Sequence, residues 1–248
     1  MHLKVLGSGD AFGTGGRLNS CFLIDRGERS FLIDCGASAL VAMRRYGVDP
    51  TQVRAVLITH LHGDHFGGLP FLILDGQLVS RRTRPLLIVG PPGLGTRLAA
   101  LMEAMFPGSS QAERRFPVEV VELEPGRPAP LEAIDATVTG LEVVHPSGAP
   151  SLALRVACDG KVVCTTGDTE WTHALLSAAQ GADLLIAEAY TFERKLRFHL
   201  DYATLRSKLP GMDVRRVLLT HMSADMLGRL GEVAGCEIAE DGLEIEIA

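Results

Sequence analysis

Six short apolar runs in this sequence each lead into a side chain able to bind a metal or carry a proton. Phe31–Ile33 leads into Asp34, Val56–Thr59 into His60, and Leu141–Val144 into His145. Val162–Gly167 leads into Asp168, Leu184–Ala187 into Glu188, and Val217–Thr220 into His221. Continuous runs such as Leu184–Ala187 and Val217–Thr220 suit strands covered on both faces. Strand ends that bring polar groups to one edge are how layered folds build active sites.

Between these runs the pattern changes period. Leu3–Leu6, then Cys21–Ile24 and Ser30–Ile33 around the turn Asp25-Arg26-Gly27-Glu28, predict a strand followed by a hairpin. Ala55–Thr59, Leu86–Val89, Val118–Leu123, Ala136–Val144, Leu152–Cys158 and Lys161–Thr165 predict further strands. Ala37–Tyr46, stopped by Gly47, is helical in character, as are Leu94–Met105 and Thr172–Gln180. Glu237–Ile247 alternates like one final edge strand. Gly108–Glu113 and Pro125–Pro130 are expected as loops, too short to separate two cores. With no internal repeat visible, residues 1–248 predict a single domain of α/β (α+β) class.

Composition narrows the class. Hydrophobic residues make up 46% and charged residues 22%, the balance of an ordinary globular protein. Five cysteines with no C-x-x-C pair argue for reduced thiols and a cytoplasmic setting. The start shows no charged segment leading into a long apolar one, and no stretch reaches the roughly 20 apolar residues of a membrane span. A net charge of −6 disfavours a broad nucleic-acid-binding surface.

His60-Leu61-His62-Gly63-Asp64-His65 is the strongest single element. It holds three of the chain's eight histidines. In extended chain His60 and His62 point the same way, so both can reach one ion at about 2 Å. Gly63 is expected to allow a sharp turn that swings Asp64 and His65 toward a second ion, with Gly67-Gly68 letting the backbone pass close to the metals. His145 would complete the first ion's set and His221 the second's, with Asp168 bridging. Two divalent cations against two carboxylates and one hydroxide leave a single positive charge, which matches a phosphodiester's single negative charge. Zinc suits imidazole-rich ligands, and manganese or iron is chemically reasonable.

These residues resemble a known family. His60–His65, the lone His145, Gly167-Asp168-Thr169 and Thr220-His221-Met222 resemble, in order, the metal-binding motifs of the metallo-β-lactamase superfamily. Asp34, in Leu32-Ile33-Asp34-Cys35-Gly36, resembles its first motif, an aspartate that steadies the metal loop. The resemblance runs from about residue 3 to 245 and implies a four-layer αββα sandwich with the metals at one edge. Leu6-Gly7-Ser8-Gly9-Asp10-Ala11, Gly90-Pro91-Pro92-Gly93-Leu94 and the run Gly181–Glu188 followed by His199 are similar to the ribonuclease Z and cyclic-phosphodiesterase branch. That likeness implies His199 as the general acid for the leaving oxygen, Glu188 as the group that orients it, and a homodimer.

Two departures bear on the substrate. The histidine segment reads His199-Leu200-Asp201-Tyr202, where tRNA-processing members usually carry Ser or Thr after the histidine. The interval between His65 and His145 also leaves no room for their long basic tRNA-gripping arm. The expectation is therefore a phosphodiesterase acting on small or nucleotide-derived phosphodiesters, with Asp64 also contacting the attacking water. The alternatives are a tRNA 3′-end endonuclease, a thioester or lactone hydrolase on the same metals, and a non-catalytic binding protein of this fold. Arg81-Arg82-Thr83-Arg84 reads as a solvated basic face. Arg194-Lys195-Leu196-Arg197, beside His199, is the better candidate for a substrate phosphate.

Overall fold

Each half of the chain builds one seven-stranded sheet, and the last strand crosses back to the first sheet. The computed structural model describes residues 1–247. The first half supplies β1 (His2–Gly7), β2 (Cys21–Asp25), β3 (Phe31–Ile33), β4 (Ala55–Leu57), β5 (Leu86–Gly90) and β6 (Val118–Glu122). From the second half come β7 (Pro128–Leu131), β8 (Ala136–Val143), β9 (Ser151–Cys158), β10 (Lys161–Thr165), β11 (Leu184–Glu188), β12 (Val217–Thr220) and β13 (Glu237–Ile238). The closing strand β14 (Glu244–Glu246) pairs antiparallel with β1.

Both sheets follow one plan. β1, β2 and β3 are antiparallel, and β3 to β6 are parallel. Likewise β7 to β10 are antiparallel, and β10 to β13 are parallel. The carboxyl ends of β3 and β4 therefore open at one edge of the first sheet, and those of β8, β10, β11 and β12 at one edge of the second. These are the strands whose continuations carry the polar residues singled out above. Their buried runs are continuous because both faces are covered: β5, β11 and β12 have no exposed residue.

Three cores follow from that layering. Leu3, Phe22, Ile33 and Leu57 meet Val138, Leu154, Ile186 and Leu218 between the sheets. On the outer face of the first sheet lie α1 (Ala39–Arg45), α3 (Leu69–Leu78) and α4 (Leu94–Met105), packing Met43, Leu72 and Leu98 onto Leu32, Val56 and Ile88. Outside the second sheet, α5 (Ala174–Ala179) and α6 (Tyr202–Lys208) pack Leu175 and Leu205 onto Leu185 and Leu219. The result is the expected αββα sandwich. No helix among the described residues is long and apolar enough to cross a membrane.

Four local expectations differ. Glu237–Ile247 is two strands in different sheets rather than one, because a turn at Gly242 (φ 90°) redirects the chain. Pro128–Leu131 is a strand rather than a loop, at a sheet edge where proline's missing N–H costs no ladder bond. Leu69–Leu78 is a helix that was not expected; its apolar residues run nearly all round and show no period. Arg82 is not solvated: it is 3% exposed, and its guanidinium donates to the carbonyls of Pro50, Val53, Arg84 and Pro85.

Candidate metal centre

β4 stops at Leu57 because the chain then bonds elsewhere. Ile58 N still donates to Val89 O of β5 at 2.7 Å, but Thr59 N leaves the sheet and donates to the Asp34 carboxylate at 2.8 Å. His60 and His62 follow in extended chain. The next residues do not make a sharp turn at Gly63. They form one helical turn, α2 (Gly63–Phe66), for which His62 is the N-cap residue; its carbonyl accepts from His65 N and Phe66 N. That turn carries Asp64 and His65 inward. A Cβ on Gly67 would lie 2.4 Å from Gly63 O, so glycine there closes the α2 turn tightly. A Cβ on Gly68 would lie 2.3 Å from Gly36 O, so glycine there lets the ligand loop lie against the Asp34 loop.

The structure brings the seven proposed metal-binding side chains together in two adjacent groups. His60, His62 and His145 offer ligand atoms within 4.8 Å of one another, and so do Asp64, His65, Asp168 and His221. Asp168 lies between the groups: one oxygen is 3.3 Å from His65 Nε2, and the other is 3.3 Å from His221 Nε2 and 3.8 Å from His60 Nε2. A third group joins Asp168, His221, Glu188 and His199.

Three imidazoles are held by Nδ1 so that Nε2 faces the centre. His60 Nδ1 meets Thr59 Oγ1 at 3.0 Å, and that hydroxyl in turn donates to Asp34 at 2.9 Å. His65 Nδ1 meets Asp34 directly at 2.7 Å, and His145 Nδ1 meets Phe198 O at 2.9 Å. Outer partners of this kind fix the tautomer and leave Nε2 unprotonated for an ion. His221 Nδ1 lies 3.4 Å from Glu188 without a hydrogen bond. His62 differs, with Nδ1 3.1 Å from His145 Nε2. The backbone is strained at the same places: Asp34 (φ 58°), Phe198 (φ 71°) and His221 (φ 57°) are left-handed without being glycine.

Electrostatics point to cations. Burial alone would raise Asp64, but His65 and hydrogen bonds from His221 and His65 hold it well below the usual carboxylate range. Burial pulls His221 down, yet Asp168, Asp64 and Glu188 raise it to about 10. His65 is likewise held above its ordinary value by Asp168, Asp34 and Asp64 against burial. His60, pushed down by burial and by its neighbouring imidazoles, stays neutral. Buried carboxylates thus draw protons where ions would sit, while His60 Nε2 and His65 Nε2 are buried with no hydrogen-bond partner. An imidazole-carboxylate donor set with inward, unpartnered nitrogens fits divalent metal ions.

His199 stands at the rim. Its Nδ1 is 2.5 Å from Glu188 Oε1, and Glu188 Oε2 accepts from Thr169 N and Leu200 N. Glu188 pulls the His199 ring above its ordinary value against burial. Tyr190 stacks on that ring at 4.7 Å. Thr59, the Phe198 carbonyl and Tyr190 were missed from sequence; only Thr59, a polar residue ending an apolar strand, carried any signal. Of the basic residues near His199, Lys195 is bound to Asp201 at 2.8 Å, and Arg197 lies over Phe198.

Fold and centre together define a metal-dependent hydrolase of the metallo-β-lactamase fold, acting on ester bonds. Ribonuclease Z of Haloferax volcanii is 30% identical over 309 aligned residues, which take in 100% of this chain and 95% of that protein. The short form of human tRNase Z superposes with a TM-score of 0.79 at 25% identity, over 100% of both chains. YhfI of Bacillus subtilis, a metallo-β-lactamase fold protein, superposes at 0.78 with 22% identity over 99% of both. The family model described as anti-Pycsar protein Apyc1 matches residues 1–243, and the chain belongs to that family, within the ribonuclease Z and phosphodiesterase branch.

Proposed function

We propose that the protein hydrolyses small, nucleotide-derived phosphodiesters at a dinuclear zinc centre. His60, His62 and His145 would hold one ion, Asp64, His65 and His221 the other, and Asp168 both. Divalent ions there supply a water of lowered pKa and positive charge for the phosphoryl oxygens. The chain's own groups do the rest. Asp64 orients the attacking water, and the Asp34–Thr59 pair keeps the ligand loop rigid. His199, with Nδ1 tied to Glu188, presents Nε2 to protonate the departing alkoxide.

The observation that carries this reading is the His199–Glu188 pair at the edge of the ligand groups. A thiolate leaves without such an acid, whereas a sugar alkoxide does not. The 30% identical ribonuclease Z favours a second reading, endonucleolytic cleavage of tRNA precursors. Against it, 309 aligned positions compared with 248 residues leave inserted segments of the relative without counterpart here, and the net charge is −6. We further propose one domain over residues 1–248, a cytoplasmic location and a homodimer.

The test is metal analysis of the purified protein together with a panel of cyclic nucleotides, bis-p-nitrophenyl phosphate, a tRNA precursor, thioesters and lactones. Turnover should be highest on cyclic nucleotides, with two zinc ions per chain. Turnover confined to thioesters or lactones would remove the proposal. Cleavage of the tRNA precursor alone would replace it with the endonuclease.

A further inference from the structure

Ser8 ties both ends of the chain to a proposed metal ligand. Its carbonyl accepts from His221 N at 3.1 Å and from Thr220 Oγ1 at 3.2 Å. Its own N–H and hydroxyl both donate to Asp241 Oδ1, at 2.9 and 2.8 Å. The other Asp241 oxygen accepts from Leu18 N at 2.7 Å, and Arg17 Nη1 donates to Ser8 Oγ at 3.0 Å. Ser8 is fully buried, and its neighbours must be glycine: a Cβ on Gly7 would run into Asn19 O, and one on Gly9 into Arg17. Nor is Gly7-Ser8-Gly9 an anion cradle, since Ser8 N is spent on Asp241 and Gly9 N on Leu18 O at 2.7 Å. Asp241 stands in the turn by which the chain crosses from β13 to β14. That turn is bound to β12 through Ala239 N and Leu219 O at 2.8 Å, and to β1 through Gly242 N and Val5 O at 2.7 Å.

We infer that Asp241 is a positioning residue for one of the two ions: through Ser8 it holds His221 in the conformation that reaches the metal. The inference rests on the dinuclear reading above and deepens it. His221 is left-handed at φ 57°, a conformation that a residue other than glycine keeps only where its surroundings fix it. Its Nδ1 makes no hydrogen bond, so no outer partner steadies the ring as partners steady His60, His65 and His145. What fixes His221 is its backbone bond to Ser8, and what fixes Ser8 is Asp241. Among the described residues, Ser8, Arg17 and Asp241 make no hydrogen bond to His60, His62 or His145. The support therefore bears on the group of Asp64, His65 and His221, and not on the other three imidazoles.

The test titrates zinc into the whole chain, stripped of metal, against a chromophoric chelator, and fits two dissociation constants. His145→Ala and His221→Ala assign them, because each removes a ligand from one group only. In Asp241→Ala the constant that His221→Ala raises should itself rise about 10–100-fold, while the other stays within about threefold. Asp241→Asn keeps an oxygen on Ser8 and loses only the contact with Leu18 N, so it should raise the same constant by less than about tenfold. Should the alanine variant not fold, the asparagine variant carries the test alone. Equal weakening of both ions would make the clasp a support of the fold only, and unchanged constants would deny it any role. Either result overturns the inference and leaves the phosphodiesterase reading intact. A parent protein that binds fewer than two zinc ions would sink the dinuclear reading along with it.

Discussion

Glu188→Gln isolates the leaving-group chemistry, because it exchanges one oxygen for an NH2 on a side chain that is 1% exposed. Glu188 Oε2 already accepts two backbone protons, from Thr169 at 2.9 Å and Leu200 at 3.1 Å. Glutamine must keep its oxygen there, so its NH2 faces His199 Nδ1, where the carboxylate stood at 2.5 Å, and His221 Nδ1, where it stood at 3.4 Å. Donor then meets donor unless His199 gives up its Nδ1 proton, and an imidazole neutral in that way is a far weaker acid. A hydrogen bond to a charged group contributes about 1.5–3 kcal/mol, and positioned general acids contribute about 10²–10⁴ in rate. The expected loss in kcat/KM on a cyclic nucleotide is therefore about 100-fold or more. On bis-p-nitrophenyl phosphate, whose leaving group departs unprotonated, the loss should stay below about fivefold. Steady-state kinetics on both esters, with zinc measured in the same preparation, decides the matter. Equal losses at full metal content would refute the assignment and leave Glu188 as a brace for the Asp168 loop. Loss of metal would show that it acts chiefly through His221.

Thr59→Val removes the hydroxyl that links His60 to Asp34. It should weaken metal binding by about 10–100-fold in competition with a chromophoric chelator, and affinity within twofold of the parent would contradict that role. Stripping the ions should lower the melting temperature. At a metal concentration about 100 times Kd the ions stabilise by about 2.7 kcal/mol, or roughly 5–10 °C in a chain of this length. Identical melting curves with and without chelator would contradict a built metal site. Arg82→Leu leaves four inward carbonyls without their donor. It should cost about 2–4 kcal/mol in urea unfolding with kcat and KM unchanged, and a cost below about 1 kcal/mol would show those carbonyls to be satisfied otherwise.

Ligand positions were legible because chemistry and periodicity coincide at strand ends. A continuous apolar run such as Val217–Thr220, only four residues long, suits a strand buried on both faces, and a histidine after it cannot join the core without a partner. What fixes those histidines was far less legible. Phe198 acts on His145 through a backbone carbonyl, which no side-chain pattern reports. Tyr190 reaches His199 because Tyr190 N donates to Leu200 O and folds their shared loop back on itself, and Glu188 comes beside His221 because β11 and β12 are parallel neighbours, a pairing written in neither strand alone. The same holds for the shared plan of the two sheets, which repeats direction and pairing without repeating residues. Even the misreadings have this origin. Gly63 and Gly68 look like freedom for a loop around metals, but what Gly68 supplies is room for Gly36 O at 2.3 Å, and Gly63 merely starts a helical turn. Composition thus names the atoms that can bind an ion, whereas their tautomers and their separation come from which loops the topology presses together.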